Sequence, residues 1–282
     1  MEDEFIWSGT DFPYACLVDK KRTLTFKKAI DETVKPGDTV IDIGSGTGIL
    51  AFFAATAGAK KVYAVEVDHL LADSLRQSIK LNNMEDTIEV VEQDAMKADL
   101  PKAVDVVVAE LIETGLLDEM QVKVMNELHA KGVIGSNTKI IPRAYETFVR
   151  LMEIDNIFYG YKIAAPIHDW PYYAHTQNGW HELKKQHITD SQSLGHFDFE
   201  KGEIIPNVDE TLEFDIRTGQ TVNALELSGI AHLTSNIEVN DEHTFNGNKI
   251  LSIEPIVDPQ TIKLRIRYEM SRGLGDFKIE VI

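Results

Sequence analysis

A glycine-rich turn follows a short strand-like segment near the start of the chain. Gly44, Gly46 and Gly48 stand at every second position, directly after residues 40–43. Glycines at this spacing permit a tight turn and a close approach of the backbone to a ligand. The dinucleotide motif G-x-G-x-x-G needs glycine at position 49, where the chain has isoleucine, and no phosphate-loop ending G-K-[ST] follows. These absences count against a nicotinamide-dependent oxidoreductase, which stays open as an alternative interpretation of the turn. A turn with a purely structural role is a further alternative.

Three acidic residues accompany the turn. Asp42 stands just before it, Glu66 lies 24 positions after Asp42 at the end of the second predicted strand, and Asp94 follows the third. An acid at the end of the second strand of a doubly wound sheet can accept hydrogen bonds from two ribose hydroxyls. Asp94 is placed to lie beside an adenine amino group. The set predicts a nucleotide-like ligand.

The elements that position these residues alternate between strand and helix. Apolar runs predict strands over 40–43, 61–67, 88–91 and 104–109, and helical spacing predicts helices over 14–34, 49–57 and 69–81 and a stripe over 116–128. This alternation indicates a parallel sheet covered on both faces. After Pro142 the period becomes two, as in Ile262, Leu264 and Ile266, which alternate with charged residues. We therefore predict an α/β domain over residues 1–142 and a mostly antiparallel β domain over 143–282.

Composition limits the classes of function. The 282 residues are 43% hydrophobic and 26% charged, which is typical of a globular protein, and the single cysteine, Cys16, excludes an internal disulfide. No apolar run reaches the ~20 residues that span a bilayer, and the acidic N-terminus lacks the layout of a signal peptide. We therefore expect a cytoplasmic protein without a membrane partner. The formal charge of −18 favours a cationic partner over nucleic acid, although a local basic patch could still bind RNA.

The glycine turn and its acids resemble motif I and its partners in class I S-adenosylmethionine-dependent methyltransferases. The resemblance implies a Rossmann-like fold for the first domain and S-adenosylmethionine as the cofactor. It implies that the cofactor is bound by the turn and its flanking acids: Asp42, Gly44, Gly46, Gly48, Glu66 and Asp94.

Two further segments resemble the protein arginine methyltransferase family. Asp19, Arg22 and Thr23 match its Asp-x-x-Arg-Thr helix, which implies that Arg22 contacts the cofactor carboxylate. Glu110 and Glu119 match its two glutamates nine positions apart, which implies that they bind and activate the substrate. The family also appends a β-barrel, so the resemblance implies that the second domain is barrel-like and serves the substrate.

Paired glutamates suit the chemistry of methyl transfer. The reaction is an in-line displacement at a sulfonium carbon, so the enzyme mainly aligns the donor with a desolvated nucleophile. Two carboxylates can hold a planar guanidinium, orient one nitrogen and localise the charge on the others. Two plainer interpretations stay open, namely Glu110 as a favourable charge near a helix N-terminus and Glu119 as part of a solvated helix face.

The chain departs from the arginine methyltransferase pattern at three places. Only residues 11–14 stand where the family has Tyr-Phe-Asp-Ser-Tyr, residues 241–255 include His243 but no Thr-His-Trp, and the loop between the glutamates lacks the usual aromatic and methionine residues. Three hypotheses therefore stay open. The favoured one is methylation of arginine or another basic nitrogen of a protein. The others are methylation of RNA or a small molecule, and binding of the cofactor without catalysis.

An aromatic-rich segment over residues 168–186 stands where that family often has a dimerisation arm. Two interpretations stay open for it: the arm of a homodimer, or a loop that packs its own aromatic rings. We assign no metal-ligating residue from the sequence.

Overall fold

The computed structural model describes residues 7–170 and 183–282. Its first half contains a five-stranded sheet in the order β3-β2-β1-β4-β5, in which every neighbouring pair is parallel. The strands are β1 (Thr39–Ile43), β2 (Lys61–Glu66), β3 (Ile88–Glu92), β4 (Val106–Ala109) and β5 (Lys139–Ile141). Four of the five residues of the central strand β1 and all four residues of its neighbour β4 are buried, so both faces at the centre of the sheet are covered. The predicted parallel α/β fold is confirmed.

Five described α-helices accompany this sheet. They are α1 (Phe12–Val18), α2 (Lys20–Thr33), α3 (Ile49–Thr56), α4 (His69–Leu81) and α5 (Gln121–Ala130). The helical stripe predicted over 116–128 is correct only for α5, because a separate 3₁₀ turn, Thr114–Leu116, precedes it. Among the described residues, no helix is both long and apolar enough to cross a membrane.

The single helix predicted over residues 14–34 is wrong at Asp19. The Asp19 side chain accepts a hydrogen bond from the backbone N–H of Arg22 at 3.0 Å, so it caps α2 instead of continuing α1. Aspartate competes for backbone N–H groups in this way and therefore favours a helix start over a helix interior. The break places Arg22 in the first turn of α2.

The described strands of the second half pair antiparallel. The larger sheet has the order β10-β6-β13-β15-β9, with β11 beside β6 and β14 beside β13. Its strands are β6 (Ala144–Ile154), β9 (Ile167–Asp169), β10 (Lys185–His187), β11 (Gln192–Asp198), β13 (Thr221–His232), β14 (Glu238–Asn240) and β15 (Asn248–Val257). A second sheet has the order β12-β16-β17, formed by Asn207–Asp215, Thr261–Glu269 and Lys278–Val281, and β7 (Ile157–Phe158) pairs with β8 (Tyr161–Lys162). The antiparallel prediction is confirmed, but within the described ranges no continuous ladder closes the sheets into a barrel.

The two halves meet around Tyr145. Its buried hydroxyl donates to the carboxylate of Asp241 and accepts from the backbone N–H of Gly115 at 3.1 Å. Gly229 makes room for this contact, since a Cβ there would lie 1.8 Å from the Tyr145 hydroxyl oxygen. The loop after β4 is thereby fixed to the β-rich half. The domain division after residue 142 stays a prediction, and it falls between the end of β5 and the start of β6.

Candidate functional site

The glycine turn lies at the carboxyl end of β1. Gly44, Gly46 and Gly48 have φ angles of 67°, 52° and 82°, in the left-handed region that favours glycine. A Cβ at Gly44 would lie 2.4 Å from Leu111, and one at Gly48 would lie 2.2 Å from Leu75. At Gly46 the nearest atom to such a Cβ is the Gly44 carbonyl oxygen, at 3.9 Å. The backbone conformation therefore favours glycine at all three positions, and a side chain at either outer one would also displace a leucine. At Gly46 no such contact arises within the described chain, so a ligand can approach its backbone closely.

Glu66 ends β2 beside this turn and is only 4% exposed. Its carboxylate accepts the backbone N–H of Gly46 at 2.7 Å and that of Asp68 at 2.8 Å. Burial raises the pKa of Glu66, and these backbone hydrogen bonds oppose the rise. Each carboxylate oxygen can accept a further hydrogen bond, so Glu66 is a candidate partner for ribose hydroxyls.

Asp42 lies inside β1, and its Oδ2 is buried without a hydrogen-bond partner among the described residues. Burial raises the pKa of Asp42 to about 7, with a smaller contribution from the nearby charge of Glu66. Asp94, in contrast, is partly exposed after β3. Its carboxylate accepts the N–H of Met96 at 2.9 Å and lies 3.3 Å from the ammonium of Lys97. Asp94 and Glu66 lie at the same edge of the sheet because β2 and β3 are parallel neighbours.

Arg22 is buried, and its guanidinium donates to the carboxylate of Glu110, which follows β4. The guanidinium also donates to the carbonyl oxygen of Cys16 at 3.4 Å, while its Nε is buried with no partner in the described part of the chain. Burial disfavours the charge on Arg22, but the adjacent Glu110 carboxylate outweighs that effect and the pKa is raised. The residue predicted for the cofactor and one predicted for the substrate are therefore in direct contact.

Glu119 lies just before α5 and is partly buried. Within residues 7–170 and 183–282 its carboxylate has no hydrogen-bond or ion-pair partner. Burial raises the pKa of Glu119 well above its ordinary value, repulsion from Glu110 and Glu113 adds to the rise, and Arg22 opposes it. Burial also raises the pKa of the Cys16 thiol to about 12, with Glu110 and Glu119 among its other causes. The two predicted glutamates thus belong to one electrostatic cluster beside α1 and α2.

Sequence reasoning missed a second charged group beside this cluster. The Glu113 carboxylate forms an ion pair with Lys249, whose ammonium also lies 3.4 Å from Asp118. Burial raises the pKa of Glu113 to about 8, and the charge of Lys249 opposes that rise. Lys249 is 131 positions from Asp118, so no local spacing could have indicated the contact.

The loop over residues 241–247 covers the junction of α1 and α2. The second carboxylate oxygen of Asp19 accepts the N–H of Phe245 at 2.7 Å, and the hydroxyl of Thr114 donates to the carbonyl of Gly247 at 2.7 Å. His243, whose role the sequence did not assign, is exposed on this loop. The Phe245 ring stacks on Trp170 with centroids 5.3 Å apart. Residues 171–182 of the aromatic-rich segment lie outside the described residues, so the homodimer arm stays a prediction.

Several features of this site fit S-adenosylmethionine, the cofactor that the sequence resemblance implies. Apart from its chain neighbours, no atom of the described residues lies closer than 3.9 Å to the position of a Cβ at Gly46, so a ligand can approach its backbone, and the Glu66 carboxylate can accept a hydrogen bond from a ribose hydroxyl. The buried Nε of Arg22 is a cationic donor without a partner among the residues described, which suits an amino-acid carboxylate. The orphaned Oδ2 of Asp42 is a further polar atom that a ligand can satisfy.

Comparison with known proteins places the chain among methyltransferases. A family model described as ribosomal protein L11 methyltransferase (PrmA) matches residues 23–152. An uncharacterized protein from Methanocaldococcus jannaschii is 28% identical over 95% of this chain and 95% of its own length. Protein arginine N-methyltransferase 6 of Danio rerio is 43% identical over 36% of this chain, a match that spans only 30% of the fish protein.

The fold has a counterpart in a solved structure. This chain superposes with a TM-score of 0.75 on a chain of the Trypanosoma brucei PRMT1 enzyme-prozyme heterotetrameric complex with AdoHcy. The two chains are 18% identical, and the superposition covers 96% of each. At this identity the likeness shows a shared fold, and it extends over the parallel and the antiparallel halves alike.

Proposed function

Because this chain is a class I S-adenosylmethionine-dependent methyltransferase that resembles the protein arginine methyltransferases, we propose that it methylates a guanidinium nitrogen of arginine in a protein. The observation that carries the proposal is the environment of Glu119. Its partly buried carboxylate has no partner in the described ranges, and burial and two neighbouring glutamates oppose its negative charge. A bound cation relieves that cost. A guanidinium is permanently charged and offers five N–H donors in one plane.

Each proposed cofactor residue is assigned to the part of S-adenosylmethionine that its side chain or backbone can bind. When bound, S-adenosylmethionine supplies a methyl carbon whose bond to sulfur breaks as its bond to nitrogen forms. We assign Glu66 to the ribose hydroxyls, Arg22 to the cofactor carboxylate and Asp94 to the adenine amino group. The turn itself and its preceding acid complete the set: Asp42, Gly44, Gly46 and Gly48.

The two glutamates orient the nucleophile. Glu110 and Glu119 accept N–H bonds from different edges of the guanidinium, so one nitrogen is held in line with the donor. Gripping the other nitrogens localises the positive charge away from the nitrogen that attacks. That nitrogen must lose a proton during transfer. A carboxylate whose pKa is raised, as that of Glu119 is, is suited to accept it.

A protein substrate agrees with the charge of the chain. The formal charge of −18 attracts basic protein segments and repels phosphate backbones. One observation favours a second candidate within the same class: the matching family model is that of ribosomal protein L11 methyltransferases. The second candidate function is methylation of another basic nitrogen in a protein.

The substrate class is tested by labelling. The full chain is incubated with methyl-labelled S-adenosylmethionine and host-cell extract, and the product is divided between protease and nuclease. We expect the label to be released by protease and recovered as methylarginine after acid hydrolysis. Recovery as another methylated amino acid supports the second candidate. Release by nuclease, or label in free small molecules only, contradicts both.

A variant pair tests the role of Glu119 in the same assay. Glu119→Gln removes the unpartnered charge while keeping the side-chain shape, so transfer should fall about 100-fold or more. Glu127→Gln is the matched control, because Glu127 lies in α5 with a side chain 40% exposed and pairs only with Lys131 among the described residues. If the two variants lose activity equally, or neither loses any, Glu119 is not a substrate residue.

A further inference from the structure

Three side chains converge on the outer face of the larger antiparallel sheet. Glu146 in β6 directly faces His196 in β11 and Ile230 in β13. His232 lies two positions beyond Ile230, and alternate residues of a strand share a face. The two histidines and the glutamate therefore occupy neighbouring positions on three adjacent strands. Tyr145, the residue before Glu146, is buried on the opposite face.

The donor atoms of these side chains lie close together. Oε2 of Glu146 is 4.0 Å from Nδ1 of His196 and 3.7 Å from Nε2 of His232, and all three ligand atoms lie within 4.8 Å of one another. A tetrahedral zinc ion holds nitrogen and oxygen ligands at about 2.0–2.2 Å, which separates neighbouring ligand atoms by about 3.3–3.5 Å. Small side-chain rotations close that difference. We propose that Glu146, His196 and His232 bind a divalent transition-metal ion of the zinc type.

The contacts around these ligands orient them for such an ion. The hydroxyl of Ser193 donates to Oε1 of Glu146 at 2.9 Å, which leaves Oε2 facing the histidines. Nδ1 of His232 lies 3.8 Å from the carboxylate of Glu238, while Nε2 is buried and has no hydrogen bond within the described chain. At this distance the two groups form no hydrogen bond, but the negative charge of Glu238 favours the tautomer that carries its proton on Nδ1, which leaves Nε2 to bind a metal.

A second cluster of metal-binding residue types already has a positive side chain beside its carboxylates. His69, Asp73 and Glu92 also lie within ligand distance of one another. There, however, Arg76 places Nη1 at 2.7 Å from each of the two carboxylates, so a cation already neutralises them. Glu146 has no lysine or arginine ion pair among residues 7–170 and 183–282. Charge balance therefore favours a metal at Glu146.

Three protein ligands leave a fourth coordination position for water. The bound ion joins β11, β6 and β13 on the face opposite the Tyr145 contact. This site is independent of the methyl-transfer proposal, because none of its residues belongs to the cofactor or substrate cluster.

The test is a zinc titration of the full chain, without a polyhistidine tag and after treatment with chelator. Isothermal calorimetry should show one zinc ion per chain with a Kd of about 10 µM or tighter. His232→Ala and His196→Ala should each weaken zinc binding by about 10-fold or more, because each removes a direct ligand of the ion. Glu238→Gln should weaken it by about 2- to 5-fold with unchanged stoichiometry, as expected for an exposed charge contact.

His69→Ala is the matched control, since it removes a histidine from the other cluster and should leave the Kd unchanged. Circular dichroism checks that each variant is folded. If His232→Ala does not fold, His196→Ala decides, because its side chain is 50% exposed. The proposal is overturned if the wild-type chain shows no saturable zinc binding. It is also overturned if His232→Ala and His196→Ala both bind zinc as tightly as wild type, or if only His69→Ala weakens binding.

Discussion

The guanidinium of Arg22 donates to the carboxylate of Glu110, a residue 88 positions further along the chain. The contact joins the first turn of α2 to the loop after β4, and both side chains are nearly buried, at 5% and 12% exposure. A buried ion pair is costly to break from one side, because the remaining charge loses its partner. Arg22 and Glu110 therefore link the proposed cofactor position to the proposed substrate position.

The first prediction concerns this pair. Glu110→Gln should retain cofactor binding, because the amide oxygen still accepts from Arg22 and Glu66 is untouched. Methyl transfer should fall about 100-fold or more, since a neutral amide cannot stabilise a cationic substrate. Calorimetry with S-adenosylmethionine and the labelling assay measure the two quantities separately. Normal turnover by this variant would rule out the paired-glutamate mechanism.

The second prediction concerns Glu66. Glu66→Ala removes the proposed ribose partner and leaves the N–H groups of Gly46 and Asp68 without their acceptor. Hydrogen bonds to charged groups contribute about 1.5–3 kcal/mol each, so loss of two ribose contacts should raise the Kd for S-adenosylmethionine about 100-fold or more. Glu89→Ala is the control, because Glu89 is an exposed residue of β3 that pairs with Lys61 at 3.0 Å. Equal affinity in wild type and Glu66→Ala would remove Glu66 from the site.

The third prediction separates two glycines of the turn. At both positions alanine adopts a left-handed φ at a cost of about 1–2 kcal/mol. Gly48→Ala also places a Cβ 2.2 Å from Leu75, so its Tm should fall further than that of Gly46→Ala. Gly46→Ala should lose more cofactor affinity than Gly48→Ala although its Tm falls less, because its Cβ meets no atom of the described non-neighbouring residues closer than 3.9 Å and would instead contact a closely bound cofactor. Thermal melts and calorimetry compare the two variants, and the opposite ranking would contradict cofactor binding at the Gly46 backbone.

The fourth prediction is a fall in stability as pH rises. Burial raises the pKa of Asp42 and of Asp241 to about 7 and that of Glu113 to about 8. Each of these carboxyls binds more protons when folded than when unfolded. Their contribution to stability is therefore complete below about pH 4 and is lost as the pH rises through 7 to 8.

Melting of the ligand-free protein checks this direction. Tm should drop by about 5 °C or more between about pH 5.5 and 8.5. Asp42→Asn should flatten the slope, and Asp99→Asn, at an exposed position, is the control variant. A Tm that rises over this range would show that other groups dominate.

The sequence was most informative where the chemistry is local. The glycine turn, its flanking acid and the strand that precedes it lie within ten residues, so their spacing alone predicted both the turn and its position at the end of β1. The helix over His69–Leu81 was predicted with its observed bounds, because apolar residues recur at helical spacing along it. Alternation of period two likewise predicted the antiparallel strands of the second half.

Contacts between distant segments could not be predicted in this way. The break at Asp19 depends on one side chain competing for a backbone N–H, which helical periodicity does not register. The pairing of Glu113 with Lys249, and the meeting of Glu146 with His196 and His232, depend on which strands become neighbours. Local spacing carries no information on that point.

The sequence by itself thus determined the class of fold, the glycine turn and the candidate glutamates, because each follows from short-range backbone preferences or from a motif. Only the tertiary structure decided that Arg22 pairs with Glu110, that Glu119 has no partner among the described residues, and that none of their side chains packs against the backbone of Gly46 where a Cβ would lie. The physical reason is that burial and charge pairing are properties of packed surroundings. Those surroundings are assembled from segments that lie far apart in the chain.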